Sequence, residues 1–390
     1  MKDFEFYSPT KVIFGRGVIS GIGKESLPFG KTALLLYGKG SLKKSGLYDL
    51  IYKELSVNGI RVVEYGGVQP NPILPHAMEG IRIARAESVD FIMAAGGGSV
   101  IDESKGIAAG YYADSDLWDY YSKKATVKKA LPIIAVQTQP ATSSETNAAG
   151  VLTNPARGEK FGIRSPLLVP KLAFLDPLVT FTIPLEYTAY ACFDILCHML
   201  EGYFTTTADF SPIQDGFIEG LSKGVMKSLN RVMINPEDYD ARASIMWAGA
   251  LAWNGLANAG LEGAAIPSHM FEHPLSALYD ISHGAGLAVV MPAWLKFMKE
   301  KISHRIILFG KNILDMNELE ELDKMTACDM VISRFEEYIK SIACPLSLEE
   351  AGISSPDFDE LTKQVQTLSE LWNIQGYSDQ DIKTVYSMCI

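Results

Sequence analysis

Apolar residues follow two rhythms along this chain. In the first half they bunch into short runs at Ala33–Tyr37, Val62–Tyr65, Phe91–Ala95 and Ile133–Val136, each bounded by glycine or proline signals. Runs of that length and punctuation predict strands. Between them, Leu47–Val57 and Pro75–Arg85 carry helical spacing. The alternation predicts a Rossmann-like α/β domain, a mostly parallel sheet with helices on both faces. The texture changes around Asp176 to Pro184. Beyond it long helical periodicities dominate, at Tyr187–Phe204, Pro212–Asn230, Ala241–Ala259 and Leu287–Lys299. The tail from Leu368 predicts a short helix, a turn at Gly376 and a last helix from about Ser378. The expected organisation is a dinucleotide-binding α/β domain over residues 1–185 and an all-helical domain over 186–390, with no internal repeat.

Polar residues interrupt the helical half at telling places. The stretch SHMFEHPLSALYDISHG, from Ser268 to Gly284, holds three of the six histidines. His269 and His273 are four apart and share one face of a helix, with Cβ atoms about 5–6 Å apart. His283 follows beside Gly284, where a turn could return it. Upstream, Asp194 and His198 repeat the same spacing inside the apolar segment ACFDILCHML. Such groups are costly in apolar surroundings unless something pairs them. A single histidine there is ordinarily a hydrogen-bonded core residue. Four or five together point to a divalent metal. Cys192 and Cys197 flank Asp194 and His198, but Cys197 lies off their shared face and reads as a small buried hydrophobe.

The strand ends carry glycines. After Ala95 come Gly96, Gly97, Gly98 and Ser99, with a helix beginning near Val100. Glycines admit a ligand close to the backbone, and a helix N-terminus favours phosphate. A second glycine loop, Gly38-Lys39-Gly40-Ser41 followed by Lys43 and Lys44, ends the first of these strands. An acid near an early strand takes the adenosine ribose hydroxyl, whereas a 2′-phosphate needs cations and hydroxyls. No acid occurs in this loop before Asp49, which favours NADP(H) over NAD(H). The loop from Thr138 to Glu145 suits equally the lining of a cofactor cleft and an ordinary polar surface loop, and Lys160 reads as part of a polar turn after Asn154-Pro155.

Composition narrows the classes. With 390 residues the chain holds two domains and ample core, and its net charge of −11 argues against nucleic acid or an anionic membrane as partner. The beginning, MKDFEFYSPT, has no leader-like apolar run. Five scattered cysteines without CxxC spacing argue against a disulfide framework and fit a reducing cytoplasm.

These motifs together resemble the iron-containing (group III) alcohol dehydrogenases, in the branch of butanol dehydrogenases and NADPH-dependent aldehyde reductases. The similarity runs from FGRG at Phe14 to the last helix. It is carried by YGKGSLKKSGLYD, PNP at Pro70–Pro72, GGGSVIDESK, the ATSSE loop, DPLVTFTIP, DILCHMLE and HMFEHPLSALYDISHG. The resemblance implies a dehydroquinate synthase-like architecture with Asp194, His198, His269 and His283 as ligands of one divalent metal, Fe(II) or Zn(II). It leaves His273 unliganded near the nicotinamide, as a proton-relay or substrate-side group. Spacing alone leaves His269 and His273 equivalent. It also implies that Gly96, Gly97, Gly98 and Ser99 meet the pyrophosphate. Asn71, Thr138, Thr142, Lys160 and Leu178 serve elsewhere along the dinucleotide, and Gly38, Lys39, Gly40 and Ser41 lie by the 2′-phosphate. The chain departs from the family where members often carry a glycine at the place of Ser143 and a small residue at that of Glu103.

The activity expected is hydride transfer between NADP(H) and small primary alcohols or aldehydes, with the metal acting as Lewis acid on the substrate oxygen. Polyol oxidation with NAD is the first alternative. A sugar-phosphate cyclase is disfavoured because residues 247–284 contain no Lys or Arg. A non-catalytic binding protein would be favoured by a missing ligand, and none is missing. Trp247, Trp253, Phe271, Leu275 and Tyr279 suggest apolar surroundings, with core packing the ordinary role of each. A homodimer is the family expectation.

Overall fold

The computed structural model describes residues 1–390. Strand β1 is Lys11–Phe14, β2 Thr32–Tyr37, β3 Arg61–Gly66, β4 Phe91–Gly96, β5 Ile133–Gln137, β6 Ala149–Asn154, β7 Glu159–Arg164 and β8 Leu172–Leu175. Six form one sheet in the order β1-β8-β5-β4-β2-β3, with all pairs parallel. The central strands β4 and β5 are buried at every position, as near-continuous apolar runs covered on both faces must be. Edge strand β3, reading RVVEYG, is half-exposed. On one face Leu35, Phe91, Met93, Val136 and Phe174 pack against Ile51 and Leu55 of the Leu47–Val57 helix.

The four strands expected from the sequence extend by one or two residues. β1, β8 and the antiparallel β6–β7 hairpin were not anticipated. At four residues, LAFL and KVIF are too short for periodicity to separate strand from loop. Lys160 lies on β7 and is buried, not in a polar turn.

The chain divides into two compact units. One comprises residues 7–183 and 237–254, the other 1–6, 184–236 and 255–390. The helix expected over Ala241–Ala259 spans Tyr239–Ala252 and groups with the sheet unit. It ends at Trp253, whose φ of −131° leaves the helix and whose N–H donates to the Ser143 hydroxyl.

In the helical unit the Leu185–Thr205 helix packs between Pro212–Ile234 and His283–Asn312, and the latter also packs on Lys324–Ser341. The Pro267–Tyr279 helix ends where Asp280 adopts a left-handed conformation, φ 52°, and its N–H closes on the Ser276 carbonyl. That turn reverses the chain within three residues and starts the next helix at His283. No helix is long and apolar enough to cross a membrane.

Candidate active site

Three helical segments of the second unit bring the ionisable residues together. Asp194 and His198 lie one turn apart on the Leu185–Thr205 helix, His269 lies near the start of Pro267–Tyr279, and His283 begins the helix after the Asp280 turn. The Nε2 atoms of His198, His269 and His283 lie 3.2, 3.5 and 3.8 Å from Asp194 Oδ1. Ligands about 2.0–2.2 Å from a tetrahedral ion stand about 3.3–3.6 Å from one another. Asp194, His198 and His269 form one compact grouping that fits such an ion, and His283 stands at its edge, 3.8 Å from Asp194. Asp194 Oδ1 and His269 Nε2 are buried atoms with no hydrogen-bond partner, a costly arrangement that a cation would relieve.

Two buried carboxylates stand behind the histidines. Glu201 accepts from the backbone N–H of His269 at 3.0 Å and pairs with its Nδ1, while Glu272 pairs with His283 Nδ1 and accepts from the Ser276 hydroxyl. A proton held at Nδ1 leaves the Nε2 lone pair facing Asp194. Burial pulls His198 down to about 3 against the attraction of Asp194, which keeps its imidazole neutral, the form that ligates. Burial opposes charge on His269 too, but Glu201 and Asp194 outweigh it and raise the ring to about 10. Asp194 is held below the carboxylate range, since the surrounding histidines overcome the burial that would raise it. The cluster therefore calls for positive charge.

His273, on the same helix, is buried and lies in a second grouping with Glu272 and His283. Its ring meets Trp372 edge-on at 4.9 Å and His283 at 5.6 Å. Phe271 packs edge-on against Tyr377 and Tyr386 and is core. Leu275 is core as well. Trp247, in the sheet unit, is 43% exposed and meets Phe14. Cys197 is buried against Met291, away from Asp194 and His198.

In the first unit, β4 ends at Gly96 and the Gly98–Gly110 helix begins two residues later. A methyl group on Gly98 would stand 2.5 Å from Thr142 Oγ1, so the glycine permits the loop after β5 to close against the turn. Thr138 donates its N–H to the Gly96 carbonyl at 3.0 Å, and Ser99 donates to the Pro70 carbonyl. Lys160 donates to Asn71 Oδ1 at 3.2 Å, joining β7 to the loop before the Leu74–Ala86 helix. Beneath the turn Lys105 is fully buried, donating to the Asn147 and Ala149 carbonyls and to Asn147 Oδ1. Asp102 accepts from the Ser144 hydroxyl and the Val151 N–H. Lys39 and Ser41 are exposed, as is Leu178, at 38%, in the turn after β8. Lys43 is not a free cation. It pairs with Glu64 of β3.

Two family models match in series. Residues 9–177 match the iron-containing alcohol dehydrogenases and 188–390 the C-terminal region of the Fe-containing alcohol dehydrogenase family. The chain belongs to the iron-containing alcohol dehydrogenase family. As such it is an oxidoreductase of the alcohol dehydrogenase type. It is 38% identical, over 93% of each chain, to the NADH-dependent butanol dehydrogenase A of Clostridium acetobutylicum. To the NADPH-dependent aldehyde reductase YqhD of Escherichia coli it is 32% identical, over 94% of this chain and 93% of that one. A crystal structure of an NADH-dependent butanol dehydrogenase A from Thermotoga maritima matches 100% of this chain and 99% of that one at a TM-score of 0.95 and 38% identity.

Both departures from the family pattern have physical accounts. Ser143 takes a left-handed φ of 50°, a conformation that favours glycine. Its hydroxyl donates to the Gly249 carbonyl and accepts from the Trp253 N–H at 2.8 Å, which holds the strained residue in place. Glu103 is fully buried and pairs with Nδ1 of His76, whose ring stacks on Tyr65 at 4.5 Å. Glu201, Glu272, Trp372 and Glu64 were missed by sequence reasoning. For the first two the signal was position, three residues after a histidine, in HMLE and HMFE.

Proposed function

We propose that this enzyme reduces small unbranched aliphatic aldehydes, and oxidises the corresponding primary alcohols, with NADP(H) favoured over NAD(H). The observation that carries this reading is the convergence of three imidazole Nε2 atoms on one buried Asp194 oxygen at 3.2–3.8 Å. Asp194, His198, His269 and His283 would hold one divalent ion, and a set of three imidazoles and a carboxylate suits Fe(II) or Zn(II). When bound, that ion supplies Lewis-acid polarisation of the substrate oxygen and the dinucleotide supplies the hydride.

The chain's own residues do the rest. Glu201 and Glu272 orient His269 and His283 through Nδ1 and keep their Nε2 atoms directed at Asp194. His273 would hold the proton exchanged with the substrate oxygen, its ring fixed edge-on against Trp372. Gly96, Gly97, Gly98 and Ser99 would receive the pyrophosphate at a helix N-terminus. Asn71, Thr138, Thr142, Lys160 and Leu178 would meet the remainder of the cofactor. Gly38, Lys39, Gly40 and Ser41 would meet the adenosine 2′-phosphate, and the exposure of Lys39 and Ser41 supports that preference. Five buried free thiols agree with a reducing cytoplasm, and a homodimer is the assembly proposed.

The test is butanal reduction by chelator-treated protein, with Fe(II), Zn(II) or neither restored, followed separately with NADPH and NADH. Activity that returns with metal and is faster with NADPH is the expected result. Faster turnover with NADH would remove the cofactor preference alone, and a strong preference for glycerol over butanol would remove the aliphatic substrate class. No turnover under any condition would overturn the reading.

A further inference from the structure

Glu64 serves three donors at once. Its carboxylate accepts from the Tyr37 hydroxyl and the Lys43 ammonium on one oxygen, and from the Tyr48 hydroxyl at 2.8 Å on the other. The Lys43 ammonium also lies over the Tyr37 and Tyr48 rings, 5.2 and 4.6 Å from their centroids. Lys43, with the tyrosines adding to it, draws the Glu64 carboxyl down to about 2, so both partners are ionised at neutral pH. The two side chains are 48% and 42% exposed, and an ion pair in that setting adds little to stability. Its consequence lies in which charge is available to a ligand.

The position of the cluster says which ligand. Glu64 pairs with Leu35 in the sheet, two residues before β2 ends at Tyr37 and enters the Gly38–Ser41 loop. β2 is the immediate neighbour of β4, about 4.8 Å away in a sheet, and β4 ends in the glycine turn at Gly96. The loop therefore leaves the same carboxyl edge, one strand from the pyrophosphate position, where an adenosine ribose is read. A 2′-phosphate arriving there meets Lys39 and Ser41, but Lys43 is already held by a carboxylate.

We propose that Glu64 sets the balance between NADPH and NADH by competing with the 2′-phosphate for the Lys43 ammonium. NADH carries no group that needs this cation, so its binding is indifferent to the competition. The inference rests on the reading of the glycine loops as a dinucleotide site. It makes Glu64, which touches none of the glycines, the residue that limits NADPH affinity.

The experiment is calorimetric titration of NADPH and NADH into the intact, metal-loaded protein and its variants, at low and at 0.5 M salt. Glu64→Gln keeps acceptors for both tyrosine hydroxyls and removes the charge. It is expected to tighten NADPH about tenfold, the scale of one charge-assisted contact, and to change NADH less than twofold. The gain should shrink at high salt. Adding Lys43→Met to Glu64→Gln should return NADPH to within about twofold of wild type, since the two substitutions act through one contact. Lys43→Met alone should weaken NADPH less than about threefold. Equal shifts for both dinucleotides, a gain that survives in the double variant, or a loss beyond tenfold from Lys43→Met alone would each overturn the proposal. A wild-type protein that binds neither dinucleotide would sink the reading of the site and this inference with it. Binding of both with an unchanged ratio in Glu64→Gln sinks only the competition.

Discussion

Glu201 and Lys105 show what single buried charges do here. Glu201 is fully buried and holds His269 by both its backbone N–H and its ring. Replacing it with Gln keeps the volume and weakens the grip on the Nδ1 proton, so metal affinity should fall by about 10–100-fold. Competition with a zinc-binding dye measures it, and unchanged affinity would show that His269 needs no such support. Lys105 is held in the core by three carbonyl-type oxygens, and its burial draws the ammonium down to about 8. Unfolded, it titrates near the ordinary lysine value, about 10.4. Between those values the unfolded chain binds more protons than the folded one, so this lysine's contribution to stability rises with pH across that window. Urea unfolding of wild type and Lys105→Met at pH 7.5 and 9.5 isolates the effect, because other titrations are common to both. The wild type should gain on the variant at the higher pH, and an equal difference at both would refute it.

Among elements, the loop between β5 and β6 is the instructive one. Ser143 sits there at positive φ, anchored to Gly249 and Trp253. Ser143→Ala keeps the strain and loses both anchors, and should cost about 1–3 kcal/mol. Ser143→Gly loses the anchors too but relaxes the backbone, so its cost should be smaller by about 1 kcal/mol. Thermal melts of the two variants order them, and a glycine variant less stable than the alanine one would contradict the account. Elements of this kind mark the limit of what the sequence carries. The four strands β2 to β5 and the two i, i+4 pairs were legible because one apolar run or one helix face contains the whole pattern. The pairing of Lys43 with Glu64 was not, because it depends on β2 and β3 lying side by side in a given register. Glu201 and Glu272 were hidden for another reason: an acid on a helix ordinarily faces solvent, and only packing reveals that these two face inward.

At the scale of the whole molecule, a metal held by this cluster would be coupled to stability. A cation that binds only the folded cluster stabilises by mass action, about 2.7 kcal/mol at a hundredfold excess over its dissociation constant. Chelator-treated protein should melt at a lower temperature than protein with Fe(II) or Zn(II) restored, and Asp194→Asn should abolish the difference. A shift that persists in that variant would place the stabilising ion elsewhere. One further consequence follows from the cysteines. All five are buried, and Cys192, Cys197, Cys328, Cys344 and Cys389 all fall in the helical unit, with none in the sheet unit. A thiol-alkylating reagent thus meets nothing on the native surface, and each adduct records an opening that reaches the helical half. The chain carries its own clock for that half, one that stays silent when only the sheet half breathes.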